Sequence, residues 1–334
     1  MTPIAIAMGD PAGIGPEVLA KSWAGRREFD LPPFFAVGDA RAVARVWPGA
    51  VAAITDPSAA IGVFDDALPV LSIDDAGEIT PGLPDADGAR MALHALEMAV
   101  GLTRSGASSA LVTGPISKAQ LYEIGFNYPG QTEFVAERCG IARENAVMML
   151  AGADLRVVPM TTHVALIDVA PLLSVELVLA KARATARGLA RSFGVETPRL
   201  AFAGFNPHAG ERGALGTEEL TILMPAIEQL RAEGIDATGP FPADTMFHTR
   251  ARARYDVAMC CYHDQALVPL KTLYFDDGVN VTLGLPIVRT SPDHGTAFDI
   301  AGQNVANPQA MIAAIRVAGE SARLRAQTAA VQTG

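Results

Sequence analysis

The chain has 334 residues and a mass of 34.9 kDa, enough for about two domains at ~150 residues each. Half of it is hydrophobic and 19% is charged, so it can build large cores and general disorder is excluded. With 26 basic against 36 acidic residues the net charge is −10, which excludes non-specific binding to nucleic acid or to an anionic membrane but leaves room for a local basic pocket. No uninterrupted apolar run approaches the ~20 residues of a membrane helix. Three cysteines, Cys139, Cys260 and Cys261, form neither a disulfide framework nor a CxxC pair. They are expected to be buried spectators, and the expected compartment is the cytoplasm.

In chain order, a strand is predicted at 4–8, with no basic leader before it. Gly9-Asp10-Pro11-Ala12-Gly13-Ile14-Gly15-Pro16-Glu17-Val18 follows and opens a helix at 15–22. It invites comparison with a dinucleotide-binding turn but fails it. Val18 stands where Gly or Ala is needed, Pro16 intrudes, and no ribose-binding acid follows. It is not a Walker A loop either. What remains is a Gly-rich turn whose amides suit an anion or close packing. A strand is predicted at 34–37, and residues 55–87, rich in Asp, Pro and Gly, read as surface connections. A helix at 88–103, a strand at 110–113 and a helix at 132–139 come next. Beyond them lie a strand at 156–160, a helix at 175–193 and a strand at 199–205. Thr217 with Glu218 and Glu219 caps a helix predicted at 218–233. Strands at 257–262 and 279–283 and a helix at 308–326 complete the pattern, with a fraying tail after Gln327. The βαβα rhythm predicts α/β layers around a largely parallel sheet.

Three of the six histidines share one placement. His163, His208 and His263 each fall just past the C-terminal end of a predicted strand, the edge where α/β sheets bind ligands. Neutral imidazoles converging there would hold a divalent metal and leave positions open for substrate. One such His taken singly is more often a hydrogen-bonded loop residue, and their wide spacing does not force convergence. His94 lies inside an Ala/Leu/Met helix pattern and is assigned a structural role, and His248, near Arg250 and Arg252, is expected at the surface. Asp264, Lys271, Asn280 and Arg289 follow His263 closely. Lys and Arg near a sheet edge suit a phosphate or carboxylate, and Arg offers a bidentate fork. Each alone is also readable as a solvated charge or an ion pair.

Two segments resemble the isocitrate and isopropylmalate dehydrogenase group. One is Gly13-Ile14-Gly15-Pro16-Glu17-Val18. The other is His294-Gly295-Thr296-Ala297-Phe298-Asp299-Ile300-Ala301-Gly302 with Ala306-Asn307-Pro308, which looks like that group's adenosine-binding loop. The whole chain more closely resembles the 4-hydroxythreonine-4-phosphate dehydrogenase family. The strings are Met8–Glu17, Thr113-Gly114-Pro115-Ile116-Ser117-Lys118, Thr161-Thr162-His163 and Asn206-Pro207-His208-Ala209-Gly210-Glu211. Further on come Pro242-Ala243-Asp244-Thr245, Tyr262-His263-Asp264-Gln265, Asn280-Val281-Thr282-Leu283-Gly284-Leu285-Pro286 and Arg289-Thr290-Ser291-Pro292-Asp293-His294.

The resemblance implies two α/β/α domains with a cleft between them: a discontinuous one, 1–128 plus 276–334, carrying the adenosine loop, and one at 129–275 carrying the histidines and dimer contacts. It implies metal ligation by His163, His208 and His263, not all necessarily from one chain, with Zn, Co, Mn or Mg as the ion. It implies substrate contacts from Gln131, Thr132, Lys271, Asn280 and Arg289, and cofactor contacts from His294, Gly295, Thr296, Ala297, Asp299 and Asn307. Lys271, Asp264 and Asp244 are the candidate catalytic groups. The activity implied is NAD- or NADP-linked oxidation of 4-phosphohydroxy-L-threonine to a 3-keto acid that loses CO2, by a homodimer with its active site at the interface. One departure is Gln131, where the family usually has His. Gln hydrogen-bonds but does not titrate near neutral pH, so the position orients substrate or marks a changed specificity. The alternatives are a related phosphorylated sugar acid (D-threonate or D-erythronate 4-phosphate) or aromatic cis-diol acid as substrate, a phosphotransacetylase-like transferase, or a binding protein without activity.

Overall fold

The computed structural model describes residues 2–73 and 77–333. Its strands are β1 (Ile4–Ala7), β2 (Phe34–Gly38), β3 (Val51–Ile54), β4 (Leu68–Ser72), β5 (Leu111–Thr113), β6 (Val147–Ala151), β7 (Arg156–Pro159), β8 (Leu200–Ala203), β9 (Ala237–Phe241), β10 (Val257–Cys260), β11 (Val279–Leu283) and β12 (Arg289–Pro292). Its α-helices are α1 (Gly15–Ala24), α2 (Ala40–Val46), α3 (Ala60–Val63), α4 (Ala86–Ser105), α5 (Lys118–Glu123), α6 (Gln131–Arg138), α7 (Leu166–Leu172), α8 (Val175–Phe193), α9 (Met224–Ala232), α10 (Thr249–Arg252), α11 (His263–Leu273) and α12 (Gln309–Thr333).

The chain divides into two compact units. The first holds residues 1–140 and 286–323, and the second holds 141–285 and 324–334. The sequence places these boundaries at 128/129 and 275/276.

In the first unit the strands run in the order β3-β4-β2-β1-β5-β12, and each pair is parallel. β1 and β2 are buried along their whole length, which is why they read as continuous apolar runs rather than alternating ones. Residues 55–87 are not surface connection throughout, as composition suggested. β4 lies inside them, with Leu68, Pro69, Val70 and Leu71 buried between β3 and β2. Asp85 caps α4 by accepting from Gly88 N at 2.7 Å, and Gly106 closes the helix in the left-handed region. His94, assigned a structural role by its helix pattern, stands on the exposed side of α4.

In the second unit the order is β11-β6-β7-β10-β8-β9. β7, β10, β8 and β9 are parallel, while β6 is antiparallel to both β7 and β11. α8 follows the predicted bounds, with Ser174 capping it through Leu177 N. The helix predicted at 218–233 begins with one π-type segment over Glu219–Leu223 before α9. The tail does not fray at Gln327; α12 continues to Thr333, and Gly334 lies outside the described residues. Cys260 and Cys261 are fully buried, and burial pushes both thiols well up from their ordinary range. No helix among the described residues is long and apolar enough to cross a membrane.

Candidate active site

The first unit gathers a buried guanidinium and two threonine hydroxyls at one corner. Arg289 opens β12 beside β5 and is 4% exposed. Its guanidinium donates to Thr113 Oγ1 at 2.8 Å and to Thr132 Oγ1 at 3.3 Å. Burial pushes the guanidinium down to about 10, with Glu133 opposing the shift. A cation so stripped of water is stabilised by an anion placed against it. Thr132 sits in the first turn of α6, the end of a helix that favours negative charge. Beside it, Gln131 donates Nε2 to Gly114 O at 3.0 Å, and its buried Oε1 has no hydrogen-bond partner among the described residues. That orphaned acceptor fits a substrate hydroxyl or ammonium. Sequence reasoning assigned no role to Thr113, although it quoted the string containing it; only the β5–β12 pairing reveals it. It also passed over Lys118, whose Nζ lies 3.9 Å from the point a Cβ on Gly130 would occupy.

The second unit explains why the histidines share a placement. β7, β10 and β8 are adjacent and parallel, so His163, His263 and His208 all follow C-terminal strand ends on one edge. Met160 N and Thr161 N bond to Cys260 O and Cys261 O, extending the β7–β10 pairing to the histidines themselves. His163 and His263 therefore meet, with ring centroids 5.5 Å apart. They line a cavity of about 280 Å³ with Thr161, Tyr262, Val164 and Leu166. His263 Nδ1 lies 2.7 Å from Asp264 Oδ1. With the proton on Nδ1, Asp264 fixes the ring and leaves Nε2 to ligate.

His208 takes a separate position after β8. It begins a left-handed run, His208 to Arg212, with φ of 54, 52, 75, 44 and 57°. Such conformations cost about 1–2 kcal/mol per non-Gly residue and persist only where surroundings impose them. Buried Glu219 supplies part of that restraint, accepting from Asn206 N at 2.7 Å and from its Nδ2 at 2.9 Å. Among the described residues no three His, Cys, Asp or Glu side chains gather closely enough to hold a metal. The three histidines thus do not complete a ligand set within one chain.

The other expected residues are distributed as follows. Lys271 lies in the last turn of α11, Asn280 on β11 with its buried Oδ1 unpartnered among the described residues, and Asp244 is exposed in a short turn after β9. His248 is exposed, as expected. In the 294–307 loop, His294 Nδ1 is 3.0 Å from Gly295 O while its buried Nε2 has no partner among the described residues. Gly295, Asp299 and Asn307 are exposed, and Ala297 holds a φ of 43°. An orphaned imidazole nitrogen and a free carboxylate in one loop fit the hydrogen-bonding edge of a nucleoside.

A family model described as "Pyridoxal phosphate biosynthetic protein PdxA" matches residues 32–318. A curated Zymomonas mobilis protein named 4-hydroxythreonine-4-phosphate dehydrogenase is 56% identical over 97% of each chain. The crystal structure of the Klebsiella pneumoniae protein of the same name superposes with a TM-score of 0.86 at 36% identity, covering 96% of this chain and 98% of that one. A β-decarboxylating dehydrogenase from Thermococcus kodakarensis, 15% identical with a TM-score of 0.51 over 98% of this chain and 89% of that one, shares the fold alone. The α/β architecture is thus that of the isocitrate and isopropylmalate dehydrogenase-like proteins, and the chain belongs to the PdxA family of pyridoxal phosphate biosynthetic proteins.

Proposed function

We propose that this chain carries the activity for which its relatives are named. It is a dehydrogenase that oxidises the hydroxyl of 4-phosphohydroxy-L-threonine with a nicotinamide cofactor, NAD or NADP, giving 2-amino-3-oxo-4-(phosphooxy)butanoate. Loss of CO2 then yields 3-amino-2-oxopropyl phosphate. The observation that carries this reading is the desolvated Arg289 fork held by Thr113 and Thr132, beside the unpartnered acceptor of Gln131. It suits a phosphorylated, polar substrate.

Arg289 and Thr132 hold the phosphate. Gln131 accepts from a substrate donor and orients it. Having no proton to exchange near neutral pH, it leaves proton removal to Asp244, Asp264, Lys271 or a water. The exposed Asp299 carboxylate suits a ribose diol and repels a 2′-phosphate, which favours NAD over NADP. A nicotinamide cofactor would supply the hydride acceptor.

A divalent ion is assigned to His163, His263 and His208, the last from a second copy of the chain. The tethered His263 ring and its neighbour His163 are the donor chemistry that fits Zn, Co or Mn, with Mg the poorer match. An ion held by these residues would supply Lewis acidity to the reacting hydroxyl and carbonyl. A homodimer is supported by large exposed apolar side chains on the elements that follow His163 and His263 in the chain. Leu166 and Ile167 are 70% and 84% exposed on α7, and Val268 and Phe275 are 61% and 78% exposed on and after α11. The three reduced cysteines fit a cytoplasmic enzyme.

The test is NAD reduction with 4-phosphohydroxy-L-threonine by protein stripped of metal and then reloaded with Zn, Co, Mn or Mg. Metal-dependent turnover that His208→Ala abolishes supports the reading. Turnover with D-threonate or D-erythronate 4-phosphate but not with this substrate reassigns the specificity, with Gln131 as the cause. Absence of NAD and NADP binding overturns the dehydrogenase reading.

A further inference from the structure

The Gly-rich turn at 9–17 has the look of a phosphate cradle, but the amides of Asp10, Ala12, Gly13 and Ile14 are already engaged. Ala12 N donates to Asp10 Oδ1 at 3.0 Å, and Gly13 N to Asp10 O at 3.1 Å. Ile14 N donates to Thr296 O at 2.9 Å, which ties the turn to the 294–307 loop. Gly13 sits so close that a Cβ there would lie 3.0 Å from Thr296 O. Behind the turn, Glu17 is 2% exposed, and its Oε1 accepts from Ala306 N and from Lys21 Nζ, each at 2.8 Å. Lys21 Nζ also donates to Asn304 O at 3.0 Å and to Ala306 O at 2.9 Å.

We propose that the 9–17 turn, with Glu17 and Lys21 behind it, is a positioning device for the 294–307 loop and thereby sets the affinity for the nicotinamide cofactor. This rests on the reading of that loop as the cofactor site. All of the contacts grip backbone atoms of the loop: Thr296 O at one end, Asn304 O and both Ala306 groups at the other. The side chains between remain available to a ligand. The loop also needs holding. Ala297 and Asn304 have φ of 43° and 60°, and Gln303, Asn304 and Val305 are exposed, so little packing of their own fixes them. Three charge-assisted bonds from one ammonium and a buried carboxylate supply that restraint without a ligand present, and a loop ordered beforehand loses less entropy on binding. Glu17 and Lys21 are positioning residues; neither touches the ligand.

The test compares full-length Lys21→Met, Lys21→Arg, Glu17→Gln and Asp299→Ala with the parent enzyme. Cofactor binding is read by nicotinamide fluorescence and steady-state KM, and loop order by hydrogen exchange at Ala306. Lys21→Met removes the donors and keeps the stem. It is expected to raise cofactor Kd and KM roughly ten- to hundredfold, the worth of one to two charge-assisted bonds. At saturating cofactor, kcat and the KM for phosphorylated substrate stay within about twofold, exchange at Ala306 quickens, and Lys21→Arg recovers part of the loss. Glu17→Gln, which keeps the acceptor but not the charge, shows a smaller shift of the same kind. A merely structural role would move thermal stability and both KM values together. If Asp299→Ala raises cofactor KM and Lys21→Met and Glu17→Gln do not, the positioning proposal is overturned while the loop assignment stands. If none of the variants, Asp299→Ala included, alters cofactor binding, the loop assignment fails and takes the proposal with it.

Discussion

Asp10 offers a stability measurement whose sign follows from burial. Its side chain is 2% exposed, and one oxygen accepts from Ala12 N. Burial raises the carboxyl from 3.8 to about 6; the Ala12 bond opposes the shift and Asp85 adds to it. A rise of about two units corresponds to about 3 kcal/mol between the protonation states. Because the folded value lies above the unfolded one, the fold binds the proton more tightly. The resulting stabilisation is fully present below the unfolded value and is lost as pH rises through about 6. Asp10→Asn keeps an oxygen for Ala12 N and carries no charge at any pH, so it escapes that loss. Urea unfolding of both proteins would be followed from about pH 4 to about pH 8. The variant should gain on the parent by up to about 3 kcal/mol between the two ends, with little change above about pH 7. A difference between the proteins that is flat across this range would refute the reasoning, since it would mean that the folded carboxyl keeps its hydration.

Arg289→Met should lower kcat/KM for the phosphorylated substrate on the order of a hundredfold or more, mostly through KM. Arg289→Lys should recover little, because one ammonium cannot reproduce the fork that Thr113 and Thr132 hold; full recovery would show that only charge matters there. Gln131→His introduces a group titrating near ~6.5, so kcat/KM should acquire an inflection in that region that the parent lacks; identical pH profiles would rule out proton traffic at this position. Gly9 has a φ of 83°, and a Cβ there would lie 2.2 Å from Pro115 O, backbone against backbone. Gly9→Ala should destabilise by about 3 kcal/mol or more, read as a fall in thermal midpoint; an unchanged midpoint would show that the turn can move aside.

The amino-acid sequence by itself determined what depends on short-range physics. The long amphipathic helices α4 and α8 and the buried apolar strands β1, β2 and β10 were legible because periodicity and apolar runs are local properties. The common strand-end placement of His163, His208 and His263 was legible for the same reason. β4 and β12 were not. One carries Pro69 in a stretch rich in turn residues, and the other reads as polar Arg-Thr-Ser-Pro; both are strands because of the neighbours they pair with. Tertiary structure alone decided which strand-end histidines meet, since β7 lies beside β10 and carries His163 to His263, while a left-handed run takes His208 elsewhere. It also decided that one amide of the Gly-rich turn, Ile14 N, goes to Thr296 O, nearly 300 residues away. A motif states which donors exist; only the folded chain determines which acceptors reach them, because a buried amide must be satisfied by whatever the topology brings near.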